Sequence, residues 1–367
     1  MTQSKEMISL QIGKQNKYPG AKKNLKGPYH VAVVGATGMA GRELFSILAE
    51  RHFPVASIKA LASSKSAGEK VDFGDEEVTV EELTAESFKG IDIAFFSVSG
   101  ALSKQYCPIA AKAGAVCIDK SSAHRMDPMV PLVVPEVNPQ DVANYENKRI
   151  IASPNCVATP LVQILGPLHQ KAGLKRVVVS SYQAVSGAGK DGMEELDKQT
   201  RDLFNMRDVE STVFNNRIAF NVLPCIPALA DWLDDGSTDE EAKVIEESRR
   251  ILGLPTLRVA ATCVRVPVFN GHSESVNIEF ENPITPQEAR ELLASAPGVV
   301  VIDDPKTRLY PTPVDASGQD VTLVGRIRVD ASVKNGLSLW LTSDNLRTGA
   351  ALNAVKIAEV LCSEYLA

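Results

Sequence analysis

The chain lacks any uninterrupted apolar run of the roughly 18 to 20 residues that a membrane-spanning helix needs. It also lacks the apolar core of a secretory signal near its start. Both absences argue against membrane insertion and export. We therefore expect a soluble protein of the cytoplasm with no membrane partner.

An excess of positive charge is absent as well. The sequence has 39 lysines and arginines against 45 aspartates and glutamates, a formal net charge of -6. Binding to a nucleic acid backbone requires a basic surface, so this balance argues against a nucleic acid partner. The exception is residues 1–28, which hold six lysines, one glutamate and no arginine. We predict a flexible basic tail there. Organellar import is the alternative, although transit peptides are typically rich in arginine.

Cysteine and histidine are scarce. The six cysteines form no CxxC pair, and no cysteine and histidine spacing is typical of a zinc site. The sequence therefore predicts neither a disulfide framework nor a metal site. Only five histidines are present, which limits the choice of a side chain for proton transfer near neutral pH.

The length and the apolar patterns of the sequence predict two domains. A length of 367 residues with 44% hydrophobic content suffices for two packed cores. Apolar strands alternate with helix-like segments over residues 29–155, which predicts a parallel, doubly wound α/β sheet. Residues 156–344 carry long β-branched runs and predict a second, α+β domain with a large mixed sheet. The amphipathic segment 345–367 is expected to be a helix that returns to the first domain.

A glycine-rich turn follows the first predicted strand, Tyr29–Val34, and precedes a helix. Glycines at such a junction let backbone N–H groups and the helix N-terminus approach a pyrophosphate. The turn therefore predicts dinucleotide binding in a Rossmann-like domain. The predicted contacts are Gly35, Thr37, Gly38, Met39 and Ala40.

The cofactor is predicted from the segment after the second strand. Ser63, Ser64 and Lys65 stand where an NAD site would offer an acid to the ribose. Hydroxyl groups and a lysine suit the 2′-phosphate of NADP. The alternative interpretation of this segment is a solvated polar loop.

Cys156 lies between a predicted strand and the apolar helix that begins near Leu161. The N-terminus of a helix stabilises a thiolate and an oxyanion, so Cys156 is the candidate nucleophile. The alternative is a small buried residue, the role assigned to the other five cysteines. His272 is the candidate base, because it follows a strand that carries Arg265. A second loop histidine, His124, is the rival.

In combination, these motifs resemble the aspartate-β-semialdehyde dehydrogenase family from about Tyr29 to the C-terminus. The segments that carry the resemblance are, in order, Gly35-Ala-Thr-Gly38, Ala62-Ser-Ser-Lys65-Ser-Ala-Gly68, Val133-Val-Pro-Glu-Val-Asn138, Ser153-Pro-Asn-Cys156, Tyr182-Gln-Ala-Val-Ser-Gly-Ala-Gly189, Cys263-Val-Arg-Val-Pro267 and His272-Ser-Glu274. The resemblance implies an NADP-binding domain (29–155 with 345–367), a catalytic and dimerisation domain (156–344), and a homodimer or a dimer of dimers.

The resemblance also implies roles for individual residues. Cys156 would be the nucleophile, His272 the acid/base and Gln183 a group that places the acyl intermediate. Arg265 would bind the substrate α-carboxylate and Glu240 its ammonium group. The implied phosphate site is Arg125, Asn155 and Lys243, and the further implied cofactor contacts are Ser186, Gly187 and Asn345.

Several positions depart from the family pattern. Lys65 stands where arginine is common, which keeps the charge but loses the planar fork. The chain has Lys120 where the family pattern has asparagine, His124 where it has phenylalanine, Val157-Ala158 where it has Ser-Thr, and Asn345 where it has glutamine.

The function implied is NADP-dependent reductive dephosphorylation of β-aspartyl phosphate to aspartate β-semialdehyde through a cysteine thioester. This step serves synthesis of lysine, threonine and methionine. One alternative is N-acetyl-γ-glutamyl-phosphate reductase, although an ammonium partner such as Glu240 argues against it. Glyceraldehyde-3-phosphate dehydrogenase would need a different cysteine segment. The other alternative is a non-catalytic NADP-binding regulatory protein on the same fold.

Overall fold

The computed structural model of the protein describes residues 3–15, 25–227 and 232–366. These fall into two compact units. We call residues 19–155 with 349–367 the seven-stranded unit, and residues 156–348 with residues 1–18 the six-stranded unit. In the described ranges, no helix combines the length and the apolar composition needed to cross a membrane.

The helices and strands up to residue 155 are α1 Gln3–Gln15, β1 Tyr29–Val34, α2 Met39–Glu50, β2 Val55–Ala62, β3 Lys70–Phe73, β4 Glu76–Glu82, β5 Ile93–Phe96, α3 Gly100–Lys112, β6 Val116–Asp119 and β7 Ile150–Ala152. Those that follow are α4 Ala158–Ala172, β8 Leu174–Gln183, α5 Gly189–Phe204, α6 Asp239–Leu252, β9 Arg258–Arg265, β10 His272–Phe280, α7 Pro286–Ser295, β11 Val299–Val301, α8 Pro313–Ala316, β12 Thr322–Val329, β13 Gly336–Ser343 and α9 Leu352–Glu364.

The seven-stranded unit has the strand order β3-β4-β2-β1-β5-β6-β7. Every neighbouring pair is parallel except the β3–β4 hairpin. The predicted doubly wound α/β sheet is therefore confirmed, with an added antiparallel edge. The order along the chain reverses between β1 and β5, and ligands of such sheets bind where the carboxyl ends of the strands meet that reversal.

The last helix, α9, packs within the seven-stranded unit. Leu352, Val355 and Leu361 are at most 1% exposed and belong to the same apolar cluster as α2. A buried, two-pronged ion pair adds to this packing, because Arg51 at the end of α2 donates to both carboxylate oxygens of Glu359 at 2.7 and 2.8 Å. Arginine and carboxylate groups match in this geometry, so the pair also fixes the orientation of α9.

The six-stranded unit has the order β11-β12-β13-β10-β8-β9. β8 and β9 are parallel, whereas β10 runs antiparallel to β8 and β13. Alternate residues of these strands join α4, α6 and α7 in one apolar cluster. The opposite face of the sheet carries Tyr182 and Trp340, whose rings are 5.3 Å apart. The predicted second domain with a large mixed sheet is therefore confirmed.

Within residues 1–28, for which the sequence predicts a flexible basic tail, the structure has one helix. Residues 3–15 form α1, in which Ile8 is 6% exposed and packs in one cluster with residues such as Val300 and Leu309. The Gln15 side chain both donates to and accepts from the backbone of Val301, at 3.2 and 3.0 Å. Within α1, the apolar residues Ile8 and Ile12 provide this packing. Three of the six lysines, Lys17, Lys22 and Lys23, lie outside the described residues.

Candidate active site

Three predicted site residues meet at one end of the six-stranded sheet. Gln183 ends β8 and is paired with Arg265, which ends β9. His272 begins β10, which runs antiparallel to β8. Parallel strands finish at the same edge of a sheet, and an antiparallel neighbour starts there. Residues that the sequence separates by about 80 positions are thus brought together by strand pairing.

His272 is almost completely buried, at 1% exposure. Its Nδ1 atom accepts a hydrogen bond of 3.0 Å from the backbone N–H of Ala184. Its Nε2 atom is buried and has no hydrogen-bond partner among the residues that the structure describes. Burial, and secondarily the charge of Arg265, lower the pKa of His272 well below its usual value. Both effects favour the neutral form of the ring.

Arg265 is held by its backbone and by its side chain. Leu223 and Arg265 exchange two backbone hydrogen bonds of 2.9 and 2.8 Å. The Arg265 Nη1 atom donates to the carbonyl oxygen of Ala184 at 2.7 Å. Burial lowers the pKa of Arg265, whereas the negative charges of Glu240 and Cys156 oppose this shift. One residue, Ala184, therefore fixes both His272 and Arg265.

A cavity of about 340 Å³ brings most of the predicted substrate residues together. Its polar lining includes Cys156, Gln183, Glu240, Lys243 and Arg265. Cys156 lies two residues before α4, at the end of the helix where the dipole stabilises negative charge on sulfur. A cysteine, an arginine, a carboxylate and an ammonium group thus share a cavity that suits a small amino acid derivative. The apolar lining includes Val213, Phe214, Ile226 and Pro227.

The first turn of α6 explains why Glu240 faces the cavity. The helix begins with a capping box in which Glu241 accepts from the Thr238 N–H at 2.8 Å. Glu241 also accepts from the Cys263 N–H at 3.0 Å, so it is occupied by backbone groups. The neighbouring Glu240 instead accepts from Gln183 Nε2 at 3.3 Å. Lys243 lies one turn further on, 3.9 Å from Glu240.

In the seven-stranded unit, the glycine turn has the backbone that a pyrophosphate requires. Gly35 has φ +85°, and a Cβ there would lie 2.3 Å from the carbonyl oxygen of Ser97. A Cβ at Gly41 would lie 2.0 Å from the carbonyl oxygen of Gly35. No side chain caps the start of α2 at Gly38. Thr37, Met39 and Ala40 belong to the same turn, whose N–H groups suit a phosphate.

The predicted ribose segment lies beside this turn. β1 and β2 are parallel neighbours, with Val34 paired with Leu61, so the residues after each strand share one edge. Ser63, Ser64 and Lys65 follow β2 there and are exposed. The geometry fits one half of a dinucleotide, with the central diphosphate at the turn and the adenosine ribose at the end of β2.

The remaining predicted cofactor residues belong to the six-stranded unit. Asn345 donates to Ser186 Oγ at 2.9 Å and accepts from the Gly271 N–H at 3.0 Å. Gly187 lies next to Arg265 and His272, since a Cβ there would be 2.7 Å from Arg265 Nη1 and 3.3 Å from His272 Nε2. Asn345, where the family pattern has glutamine, thus finds hydrogen-bond partners for its side-chain amide in Ser186 and Gly271.

Two predicted phosphate residues lie in the seven-stranded unit, whereas Lys243 lies in the six-stranded unit. Arg125 and Asn155 are 7% and 6% exposed. Arg125 donates to the carbonyl oxygens of Ser153 and Lys120, at 2.9 and 2.6 Å.

The rival histidine, His124, contacts Asp119 Oδ2 through Nδ1 at 2.8 Å and belongs to a different unit from Cys156.

Two residues of α5 that carry no sequence signal hold the apolar wall of the cavity. Glu195 accepts from the Thr212 N–H and hydroxyl at 2.9 and 2.7 Å, and from the Val213 N–H at 2.5 Å. Gln199 Oε1 accepts from the N–H groups of Ile218 and Ala219 at 2.9 and 3.1 Å. Burial opposes ionisation of Glu195, but these hydrogen bonds outweigh it and lower its pKa. In the sequence, both look like ordinary polar helix positions.

Comparison with known proteins finds two family models along the chain. The semialdehyde dehydrogenase NAD binding domain matches residues 30–145, and the semialdehyde dehydrogenase dimerisation domain matches residues 165–348. The chain is 52% identical over 340 residues to aspartate-semialdehyde dehydrogenase of Aquifex aeolicus, covering 92% of this chain and 99% of the relative. It is 47% identical over 338 residues to that of Rickettsia bellii, with the same coverage.

Among solved structures, the chain is similar to aspartate semialdehyde dehydrogenases as well. Aspartate semialdehyde dehydrogenase II from Vibrio cholerae superposes with a TM-score of 0.90 at 42% identity, covering 93% of this chain and 100% of that one. A second structure of that protein, complexed with ASA, has the same TM-score, identity and coverage.

Proposed function

The chain belongs to the aspartate-semialdehyde dehydrogenase family, and from that premise we propose that it converts β-aspartyl phosphate to aspartate β-semialdehyde with NADPH. The family and the enzyme class predicted from the sequence are confirmed by these matches. One observation carries the proposal: Cys156 shares a cavity with Arg265 and Glu240, partners for the two charged ends of an amino acid. A third polar group, Gln183, joins them from the end of β8.

The proposed chemistry is described most simply in the direction of aldehyde oxidation. The Cys156 thiolate adds to the aldehyde carbon, and oxidation of this adduct leaves an acyl thioester. Arg265 binds the α-carboxylate through two parallel hydrogen bonds, and Glu240 binds the ammonium group. Together they hold the reacting carbon next to sulfur, which makes the attack effectively intramolecular. Gln183 contacts Glu240 and places the acyl group.

The cofactor proposed is NADP, which supplies a hydride acceptor when bound. Gly35, Thr37, Gly38 and the first turn of α2 would hold its diphosphate, because their backbone N–H groups can be approached closely. Ser63, Ser64 and Lys65 would hold the 2′-phosphate. Ser186, Gly187 and Asn345 would contact the cofactor from the six-stranded unit.

Phosphate is the proposed second substrate, which releases the thioester as an acyl phosphate. Lys243 lines the cavity with Cys156 and offers an ammonium group to an attacking phosphate. Arg125 and Asn155 complete the proposed phosphate site. The Arg125 side chain is already oriented by two backbone carbonyl groups, so less side-chain entropy is lost when an anion binds.

A homodimer formed through the six-stranded unit is proposed as the assembly. The matched dimerisation domain covers most of that unit. The sheet face opposite α4, α6 and α7 carries Tyr182 and Trp340, whose rings contact each other at a tilt, and Tyr182 is 38% exposed. Large aromatic side chains on an exposed sheet face are typical of an interface core. Sedimentation velocity would show a dimer or a dimer of dimers; a monomer at micromolar concentration would contradict the proposal.

One assay distinguishes the proposed activity from its alternatives. Absorbance at 340 nm is followed with NADP, phosphate and either aspartate β-semialdehyde or the semialdehyde of N-acetylglutamate. We expect turnover of the free amino acid only, because an acylated amine would leave Glu240 as an unpaired buried charge. Preference for the acylated substrate would favour N-acetyl-γ-glutamyl-phosphate reductase. Cofactor binding without turnover of either substrate would favour the regulatory protein.

A further inference from the structure

We propose that Arg42 binds the 2′-phosphate of NADP together with Lys65, and that Glu69 competes with this phosphate for Arg42. The proposal rests on the proposed function, because it concerns how that reaction selects its cofactor. Lys65 keeps a positive charge at the ribose segment but lacks the planar fork of an arginine. Arg42 supplies that fork from a different element, the first turn of α2.

The glycine turn and the ribose segment meet at the end of β2. The N–H groups of Gly35 and Ala36 both donate to the carbonyl oxygen of Leu61, at 2.8 and 3.1 Å. A single 3₁₀ turn, Ser64–Ser66, follows one residue after β2. A diphosphate held at the glycine turn would therefore bring the 2′ position of the adenosine ribose to this 3₁₀ turn.

Arg42 connects these two segments. It is the fourth residue of α2, and its Nε donates to the carbonyl oxygen of Thr37 in the glycine turn at 3.3 Å. Its Nη2 lies 3.8 Å from Glu69 Oε2. The Glu69 N–H donates to the carbonyl oxygen of Ser66 at 3.1 Å, so Glu69 is tied to the end of the 3₁₀ turn. The guanidinium group therefore lies between the diphosphate site and the ribose site.

The ion pair between Arg42 and Glu69 is weak. Both side chains are 48% exposed, and the separation of 3.8 Å is longer than a hydrogen bond. A phosphate group carries more negative charge than a carboxylate and accepts two parallel hydrogen bonds from a guanidinium group. A 2′-phosphate should therefore displace Glu69 from Arg42.

The other charges around Arg42 favour the same position for the anion. Arg42 also lines a cavity of about 410 Å³ between α2 and the β3–β4 hairpin. The other charged residues that line this cavity, Glu50 and Asp72, are acidic. An anion is therefore disfavoured in the cavity. It is favoured at the 3₁₀ turn, where Lys65 supplies a second positive charge.

The test measures binding of two fragments of the cofactor rather than turnover. Adenosine 2′,5′-bisphosphate carries the 2′-phosphate and 5′-AMP does not. Their Kd values are measured by isothermal titration calorimetry at one ionic strength, because salt screens exposed charges. For Arg42→Gln we expect Kd for the bisphosphate to rise by about 10- to 100-fold, the cost of losing a charge-assisted hydrogen bond, and Kd for 5′-AMP to stay within about twofold. Arg42→Lys keeps the charge and should give a smaller rise.

Glu69→Gln should act in the opposite direction. Removing the competing carboxylate should lower Kd for the bisphosphate by about fivefold, the effect of one like charge at close range in water. An ion pair that only fixes α2 against the hairpin would not produce opposite changes in the two variants. A rise in Kd for the bisphosphate in Glu69→Gln would therefore overturn the competition proposed for Glu69.

Two exposed residues of the same unit provide matched controls. Lys112 ends α3 shortly before β6, and Glu146 precedes β7, so both lie at the edge of the sheet opposite the glycine turn. Lys112→Gln and Glu146→Gln make the same charge changes there and should alter the Kd of the bisphosphate by less than about twofold.

The two possible failures are distinguishable. If the parent prefers the bisphosphate and Arg42→Gln keeps the same ratio of the two Kd values, the role of Arg42 is overturned while NADP remains the proposed cofactor. If the parent binds both fragments equally well, the 2′-phosphate is not recognised, and the proposed cofactor is refuted together with the role of Arg42.

Discussion

Glu195 holds the apolar wall of the cavity without touching the cavity itself, and Glu195→Gln should reveal this. The carboxylate accepts three hydrogen bonds from Thr212 and Val213, a longer one of 3.4 Å from the Phe214 N–H, and one of 3.1 Å from Gln199 Nε2. Glutamine keeps the shape of the side chain but turns one oxygen into an NH₂ group. The new NH₂ group is itself a hydrogen-bond donor, and it would face another donor, either Gln199 Nε2 or an N–H or O–H group of the wall.

The expected size of the effect follows from the bonds. A hydrogen bond to a charged acceptor is worth about 1 kcal/mol more than one to a neutral acceptor, so the three shorter bonds to Thr212 and Val213 together lose about 3 kcal/mol. A free-energy change of 1.4 kcal/mol alters an equilibrium constant tenfold. The equilibrium between the ordered and the disordered wall should therefore shift toward disorder by at most about 100-fold. We therefore expect KM for aspartate β-semialdehyde to rise by about 10- to 100-fold, with kcat reduced much less.

Steady-state kinetics with saturating NADP measure this, and the chain offers a matched control. Glu194 is the preceding residue on α5, its side chain is 64% exposed, and it forms an ion pair with Lys190. Glu194→Gln makes the same chemical change without touching the wall, so its KM should stay within about twofold of the parent because exposed ion pairs contribute little. Equal KM values for both variants would refute the role assigned to Glu195.

Three further predictions concern the proposed chemistry. Cys156→Ser should abolish turnover while NADP affinity, measured by fluorescence titration, stays nearly unchanged, because a serine hydroxyl does not ionise near neutral pH; activity within a few-fold of the parent would reject Cys156 as the nucleophile. Arg265→Lys keeps the charge but loses the two-pronged geometry, so kcat/KM for the semialdehyde should fall by about 100-fold, and a silent substitution would contradict the assigned carboxylate contact. NADP should be preferred over NAD in kcat/KM; equal values would mean that Ser63, Ser64 and Lys65 do not bind the 2′-phosphate.

The glycine turn was predictable because its chemistry is local. A buried strand, a glycine that needs φ +85°, and a helix follow one another within about 20 residues, and each leaves its own pattern in the sequence. The position of Cys156 before α4 was predictable for the same reason. Glu240 and Lys243 differ, because a capping box decides which face of α6 meets the cavity. Without the family resemblance they read as part of a charged, exposed helix.

What the sequence could not predict depends on contacts distant along the chain. The β3–β4 hairpin is mostly exposed, and Val71 and Val80 alone among its residues are fully buried, so the apolar pattern is too weak to identify two strands. The contribution of Ala184 comes from its backbone, which has no signature in the sequence. The hydrogen bond from the Val213 N–H to Glu195 is a tertiary contact between residues that lie 18 positions apart in the sequence.

The central claim is that Cys156 forms a covalent acyl intermediate with the amino acid substrate. It is tested most directly by mass spectrometry of enzyme quenched in acid after mixing with aspartate β-semialdehyde and NADP in the absence of phosphate. Without phosphate the thioester should accumulate, so we predict one aspartyl group on the peptide that contains Cys156, and none in Cys156→Ser. Oxidation of the aldehyde without an adduct, or an adduct on another cysteine, would contradict the account.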